Sequence, residues 1–120
     1  MIKNFILVGL GGAAGSMLRY GASLLMAALG AQATMATLAV NILGSFLLGL
    51  LAAACNPGSW MLMATVGLCG GFTTFSTFSV QTVALFQQGR CGAGVLYILG
   101  TVAICLLCAW LGSWTGSRLR

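Results

Sequence analysis

The residues best equipped for chemistry lie between Gly67 and Ser79. Phe72, Phe75 and Phe78 recur at every third position, and Thr73, Thr74, Ser76, Thr77 and Ser79 fill the gaps with hydroxyls. A spacing of three puts the rings on one face of a helix. An aromatic ring has a positive edge, and a hydroxyl donates a proton. Such a face suits an anion better than a cation. Gly70 and Gly71 precede the run and interrupt an apolar segment. Polar groups in such a segment must be satisfied inside protein or against a passing solute. Asn41 is a lone amide in a second apolar run, the kind of residue that donates a hydrogen bond between helices. Thr37 lies four residues earlier on the same helix face, and Tyr97 and Thr101 make another polar stripe with the same spacing.

What is missing narrows the chemistry further. The chain has no Asp, no Glu and no His. General acid–base catalysis draws mostly on those residues, which leaves Lys3, Tyr20 and Tyr97 as the only such candidates; an enzyme is not expected. Proton-coupled transport commonly relies on intramembrane carboxylates or histidines. Selection of cations by side-chain charge is equally excluded, although backbone carbonyls can still hold a cation. Amide, hydroxyl, aromatic edge and arginine remain.

The elements that position these residues are membrane helices. Hydrophobic residues make up 60% of the 120 and charged residues 4%. A soluble domain carries about 25% charged residues. A span takes roughly 20 apolar residues, so the chain has room for four. The pattern predicts an all-α membrane protein, one domain over 1–120, with spans at about 4–29, 34–55, 60–87 and 92–116. Gly30 to Thr34, Asn56-Pro57-Gly58-Ser59 and Gln87-Gln88-Gly89-Arg90 supply the turns. Short loops make consecutive helices antiparallel and put both termini on one side. Lys3, Arg118 and Arg120 then share that side, and Arg90 takes the other. These are headgroup anchors rather than nucleic-acid contacts. A bias of three against one leaves insertion in both orientations open.

Small residues let helices approach closely in lipid. Gly11 and Gly15, Gly112 and Gly116, and Gly44, Ser45 and Gly49 offer such faces. Four short helices enclose little interior, so these faces are expected to continue into a second copy of the chain. No internal repeat is evident, and symmetry would come from association.

Three patterns carry less than they suggest. Phe5 to Ala14 has the glycines of a dinucleotide loop but lacks the acidic residue that such a site needs. Residues 1–16 loosely fit a signal peptide, yet the apolar run continues past Arg19 to Leu29. Cys105 and Cys108 have CxxC spacing within an apolar helix, without His, acid or a second pair. They and Cys55, Cys69 and Cys91 read as small apolar fillers.

Over essentially its full length, the chain resembles the small fluoride channel family, Fluc, also called CrcB. Three motifs carry the resemblance: Gly12-Ala-Ala-Gly-Ser-Met-Leu-Arg-Tyr20, Val40-Asn-Ile-Leu-Gly-Ser45 and Gly70-Gly-Phe-Thr-Thr-Phe-Ser-Thr-Phe-Ser79. The resemblance implies a passive fluoride channel of the bacterial inner membrane that lowers cytoplasmic fluoride. It also implies an antiparallel, dual-topology homodimer with two pathways, a broken third helix and a central sodium ion.

Residue by residue, Asn41 matches the pore asparagine, and Phe75 and Phe78 match the pore-lining phenylalanines. Thr37, Tyr97 and Thr101 match positions of a polar track, and Ser76, Thr77 and Ser79 are assigned to the same pathway. Gly70 and Thr73 match positions whose backbone carbonyls hold sodium. Arg19 matches the first-segment arginine, expected in a vestibule that gathers anions. Its cost at mid-membrane is about 2.5–3.5 kcal/mol on insertion scales; snorkelling to headgroups is the simpler reading. Gln81, where many members carry Glu, and Cys105, where a hydroxyl is expected, depart from the family pattern and put the outer track in doubt.

Two other classes fit a short four-span chain. A small multidrug-resistance-type exporter would need a membrane glutamate, which is absent. A non-transporting membrane scaffold would use the glycine faces to bind a larger complex.

Overall fold

The computed structural model describes every residue from Met1 to Arg120. Helix α1 spans Ile2–Ala28 and α2 spans Ala33–Ala54. A third segment, Ser59–Gln87, is built from several pieces. They are α3 (Ser59–Leu62), a π-helical stretch (Met63–Cys69), α4 (Gly70–Phe72) and α5 (Phe75–Gln87). Helix α6 closes the chain over Cys91–Leu119. There are no strands. The four segments are each long and apolar enough to cross a membrane. The single proline, Pro57, stands in the turn before α3, where a missing N–H costs no helical bond.

Two loops end on the same device. After α1, Gly30 takes φ +78, its N–H donates to the Ala27 carbonyl, and the Ala31 N–H donates to Met26. After α5, Gly89 takes φ +73, its N–H donates to Phe86, and the Arg90 N–H donates to Leu85. This is the Schellman pattern, which needs a left-handed residue and therefore glycine. At the other end of the bundle, the Arg120 guanidinium donates to Asn56 Oδ1 at 3.1 Å, tying the C-terminus to the turn between α2 and α3.

The bundle is two tightly packed helix pairs. Helix α1 lies on the third segment and α2 lies on α6. In the first pair, a Cβ on Gly71 would stand 2.5 Å from the Gly12 carbonyl oxygen, and one on Gly67 would stand 2.7 Å from that of Val8. In the second, Cβ atoms on Gly49 and Gly112 would meet the backbones of α6 and α2. The glycine faces at Gly11, Gly15, Gly44, Gly49, Gly112 and Gly116 are thus used inside the chain. In lipid, close backbone approach is itself what joins helices.

Only 17 of 120 residues are buried. Large apolar side chains cover the outside of α1 and α6, including Phe5, Leu25, Leu99 and Trp110. Such a surface is solvated by hydrocarbon rather than water. The small interior cluster is Phe78, Leu85 and Tyr97.

Candidate ion pathway

The glycine pair is helical, with Gly70 at φ −63 and ψ −39. Helical geometry stops two residues later than the sequence suggests. Thr73 (φ −83, ψ 159) and Thr74 (φ −151, ψ 119) are extended before α5 begins at Phe75. Glycine serves packing against Gly12 here, and the change of direction is held by polar side chains instead.

Each backbone group freed at this point has to find a partner. Asn41 Nδ2 donates to the Thr74 carbonyl at 3.0 Å, and Asn41 Oδ1 accepts the Thr74 N–H at 2.8 Å. Arg19 Nε donates to the Gly71 carbonyl at 3.1 Å. Thr73 uses its N–H and its hydroxyl on the Cys69 carbonyl, both at 3.0 Å. Thr74 is the N-cap of α5, where its hydroxyl oxygen accepts the Thr77 N–H at 3.2 Å. The Thr74 N–H is spent on Asn41, so the Gly70 carbonyl lacks its ordinary donor four residues on. No hydrogen bond within the chain ends on the Thr73 carbonyl.

Beside this junction lies an open groove of about 320 Å³. Asn41, Thr73, Phe75, Phe78 and Thr101 line it, with Ser45 and Cys105 at its side. The Thr101 hydroxyl is buried and has no hydrogen-bond partner. A buried hydroxyl without a partner costs about 1–3 kcal/mol, which asks for an explanation at the site. The Phe75 and Phe78 rings stand 5.5 Å apart at 49°, and Phe78 stands 5.1 Å from Tyr97 at 57°. Phe78 is buried, whereas Phe75 is 77% exposed on the single chain.

The remaining expected residues divide. Tyr97 is buried against Phe78, and its hydroxyl donates to Gln81 Oε1 at 2.7 Å. Thr37 is buried on α2, one turn before Asn41. Ser76, Thr77 and Ser79 do not line the groove. Ser76 and Thr77 group around the Thr74 hydroxyl at 3.3 and 3.1 Å, and the Ser79 hydroxyl donates back to the Phe75 carbonyl at 2.9 Å. Arg19 is turned toward the Gly71 carbonyl rather than into the groove.

Two residues named in the sequence without a specific partner organise the site. Thr74 was legible as a Ser/Thr N-cap ahead of an apolar helix. Gln81 lies one turn after Thr77 and reads only as a departure until Tyr97 is seen beside it. The groove has no acidic lining, and none exists in the chain to place there. It can hold a small anion by neutral donors and a cation only by carbonyl oxygen.

Residues 6–113 match the family described as CrcB-like protein, Camphor Resistance (CrcB). A protein of Thermus thermophilus named fluoride-specific ion channel FluC is 45% identical over 123 residues, covering 98% of each chain. Proteins with the same name from Paramagnetospirillum magneticum and Serratia proteamaculans are 45% identical over 91% of each chain, and 39% identical over 98% of this chain and 100% of the relative. With a match over nearly its whole length, this multi-pass membrane chain belongs to the CrcB family.

Proposed function

We propose that the chain is a passive, fluoride-selective ion channel that lowers cytoplasmic fluoride across the bacterial inner membrane. The name carried by relatives along almost the full length supports fluoride as the ion. The observation that carries the reading at the site is the unpaired Thr101 hydroxyl in a groove shared with Asn41, Phe75 and Phe78.

Fluoride gives up tightly held water only to comparable donors. The Thr101 proton, the Asn41 N–H not used on Thr74, and the edges of Phe75 and Phe78 are neutral donors of this kind. Each contact is weak, so an ion that arrives can also leave. The chain lacks the carboxylates and imidazoles on which proton-coupled transport commonly relies.

The same reading places two copies antiparallel about an axis in the membrane plane. Phe75 would then be covered by the partner, and the junctions at Thr73 and Thr74 would meet. The Thr73 carbonyl without a donor and the Gly70 carbonyl are oxygen ligands of the type a hard cation takes. They would hold a sodium ion, which supplies a fixed positive charge when bound.

Purified protein in liposomes tests the function. Fluoride efflux down its gradient is expected, with chloride efflux far slower. Comparable chloride efflux, or none of either ion, overturns the reading. A tag at Arg120 reachable from only one side of the membrane rules out the antiparallel pair.

A further inference from the structure

Cys105 brings the one sulfur into the lining of the groove. It lies on α6 four residues after Thr101, on the same face and about 6 Å along the axis. Cys105 is half-buried, whereas Cys69 is fully buried. A cysteine shut into apolar packing is inert, and one that is partly exposed can react. Thr101 marks the same wall as a place for a guest. It is 7% exposed, and its hydroxyl has no hydrogen-bond partner. The two groups share one wall of an open groove of about 320 Å³.

The kind of guest follows from the ligands on offer. Beside that thiol the lining has no imidazole, no carboxylate and no thioether. A zinc site draws on several protein ligands of this sort, and no three of His, Cys, Asp or Glu come together in the chain. Thiolate selects soft metal ions over hard ones. A single thiolate completes the shell of a soft ion that brings its other ligand with it. An alkylmercury cation is of this kind, with carbon on one side of a linear metal and sulfur on the other.

We propose that the groove is a binding site for a thiophilic cation of the alkylmercury class, held by Cys105 Sγ, and that its occupation closes the ion pathway. Binding stands on the groove alone; closure rests on the channel reading above. With methylmercury chloride, the Cys105 thiol gives up its proton, the sulfur lone pair forms the S–Hg bond, and chloride leaves. Mercury stays divalent, so no oxidant or reductant takes part. The product is neutral and sits one helical turn from Thr101. It puts a methyl group and a heavy atom where the groove offers a hydroxyl and ring edges. A small anion then has neither room nor donors on that wall. Were Cys105 only a small apolar filler, no reaction would take place inside the groove.

The test uses the full chain in liposomes. Fluoride efflux is read by electrode before and after methylmercury chloride, and peptide mass mapping is done on the same samples. Cys105→Ser and Cys105→Ala are compared with a variant that carries Cys55→Ser, Cys91→Ser and Cys108→Ser together. Cys55 and Cys91 are exposed and outside the groove, so they should react without closing it. Each protein is scored against its own untreated rate. Wild type and the triple variant should take up mercury at Cys105 and lose their efflux. A small dithiol added afterwards should restore it, which reports an intact fold. The two Cys105 variants should keep their own efflux under the same treatment. A Cys105 that stays unmodified while Cys55 and Cys91 react overturns the site. A modified Cys105 with undiminished efflux, or equal loss in the Cys105 variants, overturns closure. A wild type that passes no fluoride removes the channel reading and closure with it, and the mapping at Cys105 still decides the binding.

Discussion

The Asn41 carboxamide pairs with the Thr74 backbone through both its ends, Nδ2 to the carbonyl at 3.0 Å and Oδ1 to the N–H at 2.8 Å. It thereby copies the pairing of a neighbouring strand at the one place where the third segment is extended. The residue that reads in the sequence as a hydrogen-bond donor between helices, and that matches the family's pore asparagine, also lines the groove beside this junction.

Replacing Asn41 should therefore damage structure and function together. Asn41→Ala leaves two backbone groups of Thr74 without partners, at about 1–3 kcal/mol each. Thermal unfolding followed by size exclusion should shift down, and fluoride efflux should be lost. Asn41→Asp keeps the acceptor, loses the donor and adds a charge, so it should be no better.

Phe75 and Phe78 should separate by stability. Phe78 is packed on Tyr97, and Phe78→Ile should cost up to about 1.5 kcal/mol as well as flux. Phe75 is 77% exposed on the single chain, so Phe75→Ile should cut flux with little change in the fold of the protomer. Wild-type flux in both variants would assign the rings to packing.

Thr101→Val keeps the shape of the side chain and removes the unpaired hydroxyl. The variant should be as stable as wild type or more stable by up to about 1–3 kcal/mol. Its fluoride flux should nevertheless fall, because a donor on the ion's way is gone. Unchanged flux would exclude the hydroxyl from the pathway.

Gly71→Ala should disrupt the α1 packing, since the new Cβ would stand 2.5 Å from the Gly12 carbonyl oxygen and backbone cannot rotate away. Overpacking of this kind costs about 1–3 kcal/mol. Gly92→Ala, with nothing within 4 Å, is the control and should leave thermal stability unchanged.

Conductance should be flat across neutral pH. Side chains that ordinarily change charge between about pH 5 and about pH 8 are histidines, and the chain has none. Voltage-clamped fluoride current, at constant fluoride ion concentration, should be equal at about pH 6 and about pH 8. A strong dependence would point to a titrating cysteine or tyrosine near the path.

Composition alone put the chain in a membrane, because 4% charged residues cannot cover a soluble surface. The absence of Asp, Glu and His likewise limited the site to neutral donors before any helix was placed. Such properties are sums over residues and need no partner to be read. The roles of particular residues needed the register between helices. Asn41 and Thr74 are 33 positions apart, and Tyr97 and Gln81 are 16 apart. Gly71 looked like a break and proved to be a helical contact for Gly12, two residues before the chain turns extended. Arg19 donates through Nε to the Gly71 carbonyl, a partner 52 positions away that its own helix does not reveal. A hydrogen bond between helices depends on how far one has slid and turned against the other. Close packing of the glycine faces sets that slide, and no local pattern in either helix encodes it.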